Sequence, residues 1–250
     1  MNELPADFFI RHARDEVGST NDIARELAEA GAPEGTLVTA KRQRAGRGRR
    51  GNTWESIEGN VFLSLILRPD ASPQAAAQLS FVAAVTIGDL VAARTAARRV
   101  ALKWPNDVLC DGKKISGILL EAGPSTPDRI QWLIVGIGLN IAQTPTGHSD
   151  ATSLRNEGDR SADPENVIAD FSERFLAWYR TWQDSGFQVV RDSWLARAHG
   201  VGQPIRVRLH DETVDAVFDG VDETGALLAR MTDGTTRRVT GGEVFFGSRG

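Results

Sequence analysis

The chain has 250 residues, of which 41% are hydrophobic and 25% are charged, and its formal net charge is −4. This composition excludes a disordered chain, because it supplies enough apolar side chains for a sizeable core. A single cysteine excludes a disulfide framework or a multi-cysteine zinc site, and the four histidines match no metal-ligand spacing. We find no apolar run of transmembrane length and no signal-peptide core, so we expect a soluble, cytoplasmic protein without membrane contact.

Hydrophobic periodicity divides most of the chain into helices and strands. Helices are predicted over 20–29, 72–98, 163–183 and 187–198. Ser19 or Thr20 is expected to cap the first of these helices, and Gly88 to interrupt the second. Strands are predicted over 36–40, 60–68, 100–103, 108–110, 114–121 and 130–141. The last of these runs is nearly all apolar, which is typical of a central strand, and Asp111-Gly112 predicts a hairpin turn.

After residue 199 the pattern changes to short strands separated by turn residues. These strands are predicted over 204–209, 213–218, 226–231 and 235–239. Short strands with Asp-Gly turns are typical of a small all-β module, and we expect an SH3-like barrel. The sequence therefore predicts an α+β protein with a large domain over residues 1–199 and a small β domain over residues 200–250.

The charge is concentrated in one loop. Residues 41–51 read KRQRAGRGRRG and carry six cations and no acid, which leaves the rest of the chain at −10. A basic loop on an acidic body favours a small anionic ligand over a broad nucleic-acid surface, although most charge runs are simply solvated. Residues 46–51 match G-x-G-x-x-G, but no helix is predicted to follow, so a dinucleotide-binding fold is rejected. Glycines still let backbone amides approach an anion, and arginines bind phosphate or carboxylate.

Three further clusters contain residues with useful chemistry. Residues 103–107 read KWPND, and a cation, an amide and a carboxylate in one turn suit a nucleotide and Mg²⁺, although an ordinary surface turn has the same composition. Residues 112–117 read GKKISG and bring Lys114 into a strand whose Gly117 allows close approach of a ligand or a neighbouring backbone. Residues 136–140 read GIGLN at the end of the predicted central strand, where a β-bulge is the simpler explanation of the glycines.

Taken together, these clusters resemble a known family. Gly-Ser-Thr-Asn at 18–21, GRGRRG at 46–51 followed by Trp54, KWPND at 103–107, KKISG at 113–117 and GIGLN at 136–140 occur in this order. In that combination the chain resembles a biotin protein ligase over nearly its whole length, and GRGRRG-x-x-W with KWPND is the most specific part.

The resemblance implies a fold and a reaction. The fold is a catalytic domain similar to the class II aminoacyl-tRNA synthetases, with a mixed β-sheet flanked by helices, followed by a small C-terminal β domain. The reaction makes biotinyl-5′-AMP from biotin and MgATP, with no tightly bound prosthetic group. The biotin then passes to one lysine of a biotin carboxyl carrier protein, by default the carrier subunit of acetyl-CoA carboxylase.

The resemblance also implies roles for individual residues. The catalytic residues are Lys114, Arg47 and Arg49. The biotin-binding residues are Ser19, Thr20, Asn21, Gln43, Arg47, Gly48, Arg49 and Lys114. The ATP-binding residues are Arg49, Arg50, Trp54, Lys103, Asn106, Asp107 and Asn140, and Asp107 is the expected Mg²⁺ ligand.

Two departures and three competing interpretations remain open. The family loop often carries a cation at the position of Asn52, and about 17 residues before Gly18 leave no room for a helix-turn-helix. We therefore expect the monofunctional form, without repressor activity on specific DNA. A lipoate–protein ligase would share the half-reaction but needs no ureido-binding pocket. An arginine-rich RNA-binding module would bind with a steep salt dependence, and a DNA-binding repressor is the third alternative.

Overall fold

A computed structural model describes residues 8–95, 99–144, 149–209 and 211–246. The larger part of the molecule is built on a mixed sheet. Its strands are β1 (Ile10–Val17), β2 (Thr36–Gln43), β3 (Val61–Leu67), β4 (Val100–Lys103), β5 (Asp107–Cys110), β6 (Lys113–Ala122) and β7 (Leu133–Leu139). They lie in the order β1-β2-β3-β7-β6-β5-β4, in which β1 and β2 are parallel and the other neighbours are antiparallel.

Helices cover both faces of this sheet. They are α1 (Thr20–Glu29), α2 (Pro73–Ala77), α3 (Leu79–Arg94), α4 (Pro164–Ser185) and α5 (Phe187–Leu195). Helix α1 lies on one face, where Ala24 and Ala28 pack against Ile66 and Ile134. Helices α3, α4 and α5 enclose the main core on the opposite face, as strand residues alternate between the two sides. The result is a sheet buried between helical layers, as expected for an α+β domain.

Side-chain caps explain where several helices begin. Ser19 caps α1 by accepting a hydrogen bond from the backbone amide of Asn21, and Ser72 caps α2 in the same way. Asp163 caps α4 by accepting from the amides of residues 165 and 166. Each cap satisfies backbone donors that the helix itself leaves unpaired, which fixes the first turn.

The predicted long helix over 72–98 differs from the structure in where it breaks. The chain bends at Gln78, between α2 and α3, and Gly88 lies inside continuous α3. The interruption expected at Gly88 is therefore wrong. A Cβ atom at this position would lie 3.2 Å from Leu102 Cδ2 and 3.1 Å from Arg197 Nη1, so the glycine permits close packing. Helix α3 ends at Arg94, and residues 96–98 lie outside the described residues.

The stretch Pro73–Arg94 is long and apolar enough to cross a membrane by length and composition, with a mean hydropathy of 1.6. Within it, 67% of the 18-residue window that passes this test is buried inside the protein, where α3 packs against α4, α5 and the sheet. Its apolar character is accounted for by its position at the centre of the main core.

The C-terminal strands form a second, antiparallel sheet. They are β8 (Pro204–Arg208), β9 (Thr213–Val221), β10 (Leu227–Arg230), β11 (Thr236–Val239) and β12 (Glu243–Phe246), in the order β11-β10-β9-β8-β12. This is the SH3-like β domain that the spacing of short strands predicts. The two parts of the molecule meet where Phe218 and Leu227 join the same buried cluster as Phe81 and Trp194.

Strands β1 and β12 have no counterpart among the predicted elements. Strand β1 reads IRHARDEV and is largely exposed at the edge of the sheet, so no apolar alternation marks it. Strand β12 is four residues long and gives no periodic signal. The hairpin predicted at Asp111-Gly112 is confirmed: both residues have positive φ (47° and 79°), which matches the preference for Asp-Gly in such turns.

Candidate functional site

One cavity contains most of the residues that the sequence analysis singled out. It lies between the first turn of α1, the loop of residues 46–51 (the glycine-arginine loop), the β4–β5 turn and strand β12. The predicted site residues on its wall are Ser19, Thr20, Asn21, Gln43, Arg47, Gly48, Arg49, Trp54, Lys103, Asn106, Asp107 and Lys114. Residues from four separate segments of the chain therefore converge on a single pocket.

Hydroxyl and amide groups line one end of the cavity. The Thr20 amide and hydroxyl donate to Gln43 Oε1 at 2.9 and 3.1 Å, and Gln43 Nε2 donates to Ser56 Oγ at 3.2 Å. Ser64 Oγ lies 2.8 Å from Thr20 Oγ1 and also contacts Asn21 Oδ1. Asn21 Nδ2 is buried and has no hydrogen-bond partner among the described residues. A buried donor of this kind is available to an acceptor on a ligand.

Trp54 forms part of the cavity floor. Its ring lies over Gly117 of β6 and Gly138 of β7. A Cβ atom at Gly117 would come within 2.9 Å of Trp54 Cζ3, and a Cβ atom at Gly138 would come within 2.3 Å of Trp54 Cε2. Lys114 Nζ stands 5.5 Å from the centre of the same ring. Two glycines on paired strands thus leave a flat slot for an aromatic ring.

A lysine and a carboxylate meet beside this ring, and a second lysine lies elsewhere on the cavity wall. Lys114 Nζ lies 2.7 Å from Asp107 Oδ1, as a close ion pair without the alignment of a hydrogen bond. The Asn106 side-chain amide donates to the Ile118 carbonyl at 2.7 Å, and the Ile118 backbone amide donates to the Asn106 carbonyl at 2.9 Å, so the β4–β5 turn is tied to β6. Lys103, at the end of β4, points toward the ring of Phe246 at 5.8 Å. The KWPND turn therefore presents its polar side chains to the cavity because its backbone is anchored to β6.

The glycine-arginine loop crosses over the cavity. Residues 47 and 53 form a β-bridge, and the Gly48 amide donates to the Asn52 carbonyl at 2.7 Å. Arg47 is bound by Asp22 and Glu121. Burial lowers the pKa of the Arg47 guanidinium, but its hydrogen bonds to these carboxylates outweigh that effect and raise it overall.

The other loop arginines turn toward the C-terminal domain. Arg49 Nη1 donates to the Gly242 carbonyl at 3.3 Å, and Arg50 Nη1 donates to the Arg208 carbonyl at 2.9 Å. Burial lowers the pKa of the Arg49 guanidinium, which the negative charge of Asp107 opposes. Arg50 is exposed and adopts a left-handed backbone conformation, with φ of 56°. Glycine-rich sequence around it is consistent with a backbone that must bend this sharply.

Two of the expected ATP-binding residues do not lie on the cavity wall. Arg50 points away to Arg208, as described above. Asn140 is buried behind the wall, where its Nδ2 donates to the Thr152 carbonyl at 3.1 Å and its backbone amide donates to the Ile115 carbonyl. Asn140 thus supports the segment that follows the sheet and is not on the cavity wall, while its buried Oδ1 has no hydrogen-bond partner among the described residues.

The structure adds residues that the sequence analysis missed. Glu243, Val244 and Phe245 of β12 line the cavity, and Asp22 and Glu121 hold the loop. No motif marks β12 in the sequence. The sequence offered only a positional signal for the two carboxylates: Asp22 directly follows Asn21, and Glu121 ends the predicted strand 114–121.

The carboxylates near the cavity are few. No group of three or more His, Cys, Asp or Glu side chains that could hold a metal ion occurs within the described ranges. Asp107 remains as a carboxylate with a buried oxygen that makes no hydrogen bond. Mg²⁺ at nucleotide sites is commonly held by one or two carboxylates together with substrate phosphates, and this donor set fits that arrangement.

Comparisons with known proteins agree with this geometry. The model of the biotin/lipoate A/B protein ligase family matches residues 16–196, and that of the biotin protein ligase C-terminal domain matches residues 200–247. The chain is 41% identical over 92% of its length to a biotin--[acetyl-CoA-carboxylase] ligase of Paracoccus denitrificans, covering 97% of that protein. It is 39% identical over 93% of its length to the bifunctional ligase/repressor BirA of Bacillus subtilis, covering 72% of that protein.

A solved structure has the same architecture. The biotin protein ligase of Aquifex aeolicus, in complex with biotin and ATP, superposes with a TM-score of 0.80 at 27% identity, over 96% of this chain and 99% of that one. The family match covers well over half of the chain, and the expected fold is confirmed. The chain therefore belongs to the biotin protein ligases, within the biotin/lipoate A/B protein ligase family.

Proposed function

We propose that this chain activates biotin with ATP to form biotinyl-5′-AMP and then transfers the biotinyl group to one lysine of a biotin carboxyl carrier protein. One observation carries the proposal: a single cavity has hydroxyl and amide groups around Asn21 at one end and Lys114 beside Trp54 at the other, with Arg47 and Arg49 also on its wall. The names of the Paracoccus relative and of the biotin- and ATP-bound Aquifex neighbour support the same reaction.

The first half-reaction joins two anions. An oxygen of the biotin carboxylate attacks the α-phosphorus of ATP, a mixed anhydride forms, and pyrophosphate leaves as its bond to the α-phosphorus breaks. Because the substrate carboxylate is itself the nucleophile, the protein has to align the reactants and stabilise the developing charge. We assign this role chiefly to Lys114, and we assign Arg47 and Arg49 to the loop that closes the cavity over the reacting groups.

Biotin is assigned to the polar end of the cavity. Its ureido ring needs both hydrogen-bond donors and acceptors, which Ser19, Thr20, Asn21 and Gln43 can supply, and the free Asn21 Nδ2 supports this assignment. Gly48 belongs to the loop segment that covers this end.

The nucleotide is assigned to the other end. We infer that Trp54 packs against the adenine and that Lys103, Asn106 and Asp107 face the phosphates, since all four line the cavity. Asp107 would hold Mg²⁺, which supplies neutralisation of phosphate charge when it is bound with ATP. We do not assign Arg50 or Asn140 to direct nucleotide contact, because neither lies on the cavity wall.

In the second half-reaction the neutral amine of the acceptor lysine attacks the carbonyl carbon of the anhydride. An amide bond forms, AMP leaves with the bonding electron pair, and the amine loses a proton. The anhydride must be kept from water until the acceptor arrives, and a loop closed over the cavity serves that purpose.

We further propose that the acceptor is the carrier subunit of acetyl-CoA carboxylase, that the enzyme works in the cytoplasm and that it binds no specific DNA sequence. Its cations are concentrated in residues 41–51 of a chain whose net charge is −4, which favours a small anionic ligand over an extended nucleic-acid surface. DNA binding should be weak, independent of sequence and lost at about 150 mM salt. Nanomolar binding to one duplex under those conditions would contradict this part of the proposal.

The decisive experiment incubates the purified protein with MgATP, labelled biotin and the biotin carrier domain of acetyl-CoA carboxylase. We expect label on the carrier and release of AMP and pyrophosphate. A carrier domain whose target lysine is replaced by arginine should stay unlabelled, and lipoate in a parallel reaction should not be transferred. Transfer of lipoate in place of biotin, or no transfer at all, would overturn the proposal.

A further inference from the structure

The side chain of Arg47 fastens the glycine-arginine loop to two separate elements. Its Nη1 lies 2.7 and 2.8 Å from the two carboxylate oxygens of Asp22, on α1. Its Nη2 donates to Glu121 Oε1, near the end of β6, at 3.0 Å. Helix α1 and strand β6 are separate elements that both contribute to the cavity wall, so one guanidinium ties the loop to both of them.

A fourth group completes the network. Arg25 Nη2 donates to the second oxygen of Glu121 at 2.7 Å, and Arg25 Nη1 lies 3.6 Å from Asp22. Two arginines and two carboxylates therefore alternate around a closed set of contacts. An isolated surface ion pair contributes little, but the Glu121 side chain is only 21% exposed, and charges in a network order one another. This arrangement is suited to fixing the position of the loop.

The three loop arginines differ in their surroundings. Arg47 is bound by carboxylates and Arg50 by a backbone carbonyl. Arg49 is partly buried on the cavity wall, and among the described residues no carboxylate comes within 4.0 Å of its guanidinium. Of the three, Arg49 is thus the cation that a phosphate in the cavity can approach without displacing an ion pair.

We propose that Asp22 and Glu121 are positioning residues that hold the loop over the cavity through Arg47, so that Arg49 stays on the cavity wall. The inference rests on the proposed function for its ligand. Neither carboxylate lines the cavity, so Arg47 is the residue of the cavity wall through which each of them acts on the loop. On this view the Arg47 side chain is itself a positioning group.

Limited trypsin digestion of the ligand-free protein tests the loop contacts without any activity assay. Cleavage after Arg49 or Arg50 requires the loop to open. We expect Asp22→Asn and Glu121→Gln each to speed this cleavage about tenfold, since each removes charge-assisted hydrogen bonds that are partly screened by solvent. Glu26→Gln, which changes an exposed carboxylate on the same helix, is the matched control and should cleave like the unmodified protein.

A double-mutant cycle separates positioning from general destabilisation. In an Arg47→Gln background, Glu121→Gln should add no further increase in cleavage at residues 49 and 50, because its partner in the loop is already gone and Arg25 lies outside the loop. An additive increase, or faster cleavage throughout the chain, would show that Glu121 supports the fold and not the loop, and would overturn the inference.

The second readout is the dissociation rate of labelled biotinyl-AMP. We expect this rate to rise about tenfold in Glu121→Gln and to rise no further when Arg47 is also replaced. If the variants retain the adenylate and resist trypsin as the unmodified protein does, the inference fails while the proposed function stands. If the unmodified protein makes no adenylate, the proposed function fails, and the trypsin result alone decides whether Asp22 and Glu121 hold the loop.

Discussion

Gly117 and Gly138 are directly paired across β6 and β7, and the ring of Trp54 lies over both of them. Two residues earlier on the same face of β7, Gly136 lies beneath the Asn21 side chain, where a Cβ atom would come within 2.3 Å of Asn21 Oδ1. Residues two apart in a strand point to the same face. One strand therefore supports both ends of the cavity, with Gly136 below the polar end and Gly138 below Trp54.

This spacing predicts that alanine substitutions on β7 separate the two substrates. Gly136→Ala displaces Asn21 and should raise the KM for biotin at least tenfold, whereas Gly138→Ala displaces Trp54 and should raise the KM for ATP by a similar factor. We expect this factor because forcing a methyl group into a packed site weakens binding by a free energy that corresponds to about a tenfold change in KM. Pyrophosphate exchange at varied biotin and varied ATP measures both constants.

Gly241→Ala is the control for these variants, because a Cβ atom there meets open space and its φ is not in the left-handed region. It should leave both constants near those of the unmodified protein. Equal effects of Gly136→Ala and Gly138→Ala on both substrates would contradict the division of the cavity into two ends.

Lys114 should be essential for adenylate formation and its neighbour should not. Lys114 Nζ lies on the cavity wall, 2.7 Å from Asp107, whereas Lys113 is exposed. Removing one preorganised positive donor costs about 3 kcal/mol of transition-state stabilisation. Lys114→Ala should therefore slow single-turnover adenylate formation about a hundredfold, while Lys113→Ala should have little effect. Equal losses in the two variants would show that the assignment is wrong.

Arg49→Gly should release the reactive intermediate. The substitution removes the guanidinium donors and adds backbone freedom to the loop, which should weaken closure more than the attack on ATP. Adenylate would then form and escape, so lysines of a bystander such as albumin should become biotinylated, as seen on a streptavidin blot. The unmodified protein should label only the carrier domain.

Two outcomes would contradict this prediction. If Arg49→Gly makes no adenylate, Arg49 is required in the first half-reaction and its role in retention is wrong. If the variant labels only the carrier domain, another part of the loop retains the intermediate.

His199 should make stability depend on pH near neutrality. Burial lowers the pKa of this imidazole below its ordinary value of 6.5, helped by the charges of Lys103 and Arg99. The folded protein thus keeps His199 neutral, while the unfolded chain takes up a proton below about pH 6.5. The contribution of His199 to the free energy of unfolding is therefore full above that pH and is lost as the pH falls toward the lowered pKa.

Denaturant unfolding at pH 7.5 and pH 5.5 measures this effect. The free energy of unfolding should fall more in the unmodified protein than in His199→Gln, which keeps every other titrating group. His199 packs edge-on against Phe246 of β12, with ring centres 4.6 Å apart. The decrease in the free energy of unfolding at pH 5.5 should therefore report on contact between the two domains. The same decrease in both proteins would exclude His199 as the source.

Local signals in the sequence determined much of this molecule. Ser19 caps α1, Asp111-Gly112 forms the predicted hairpin, and the apolar run that contains β7 lies at the centre of the sheet. Each depends on residues close together in the chain, where capping, turn preference and periodicity act. The same holds for the composition of the cavity, since its motifs are short and continuous.

Only the tertiary structure decided which distant groups meet. Strand β1 forms on an exposed edge without an apolar pattern. Strand β12 brings Glu243 to the wall of the cavity that Lys114 also lines, although these two residues are more than a hundred positions apart in sequence. The partners of Arg47 are on α1 and β6, and Asn140 turns from the cavity to residue 152. Hydrogen bonds and ion pairs between separate elements depend on how those elements pack, and packing leaves no periodic trace in the sequence of either partner.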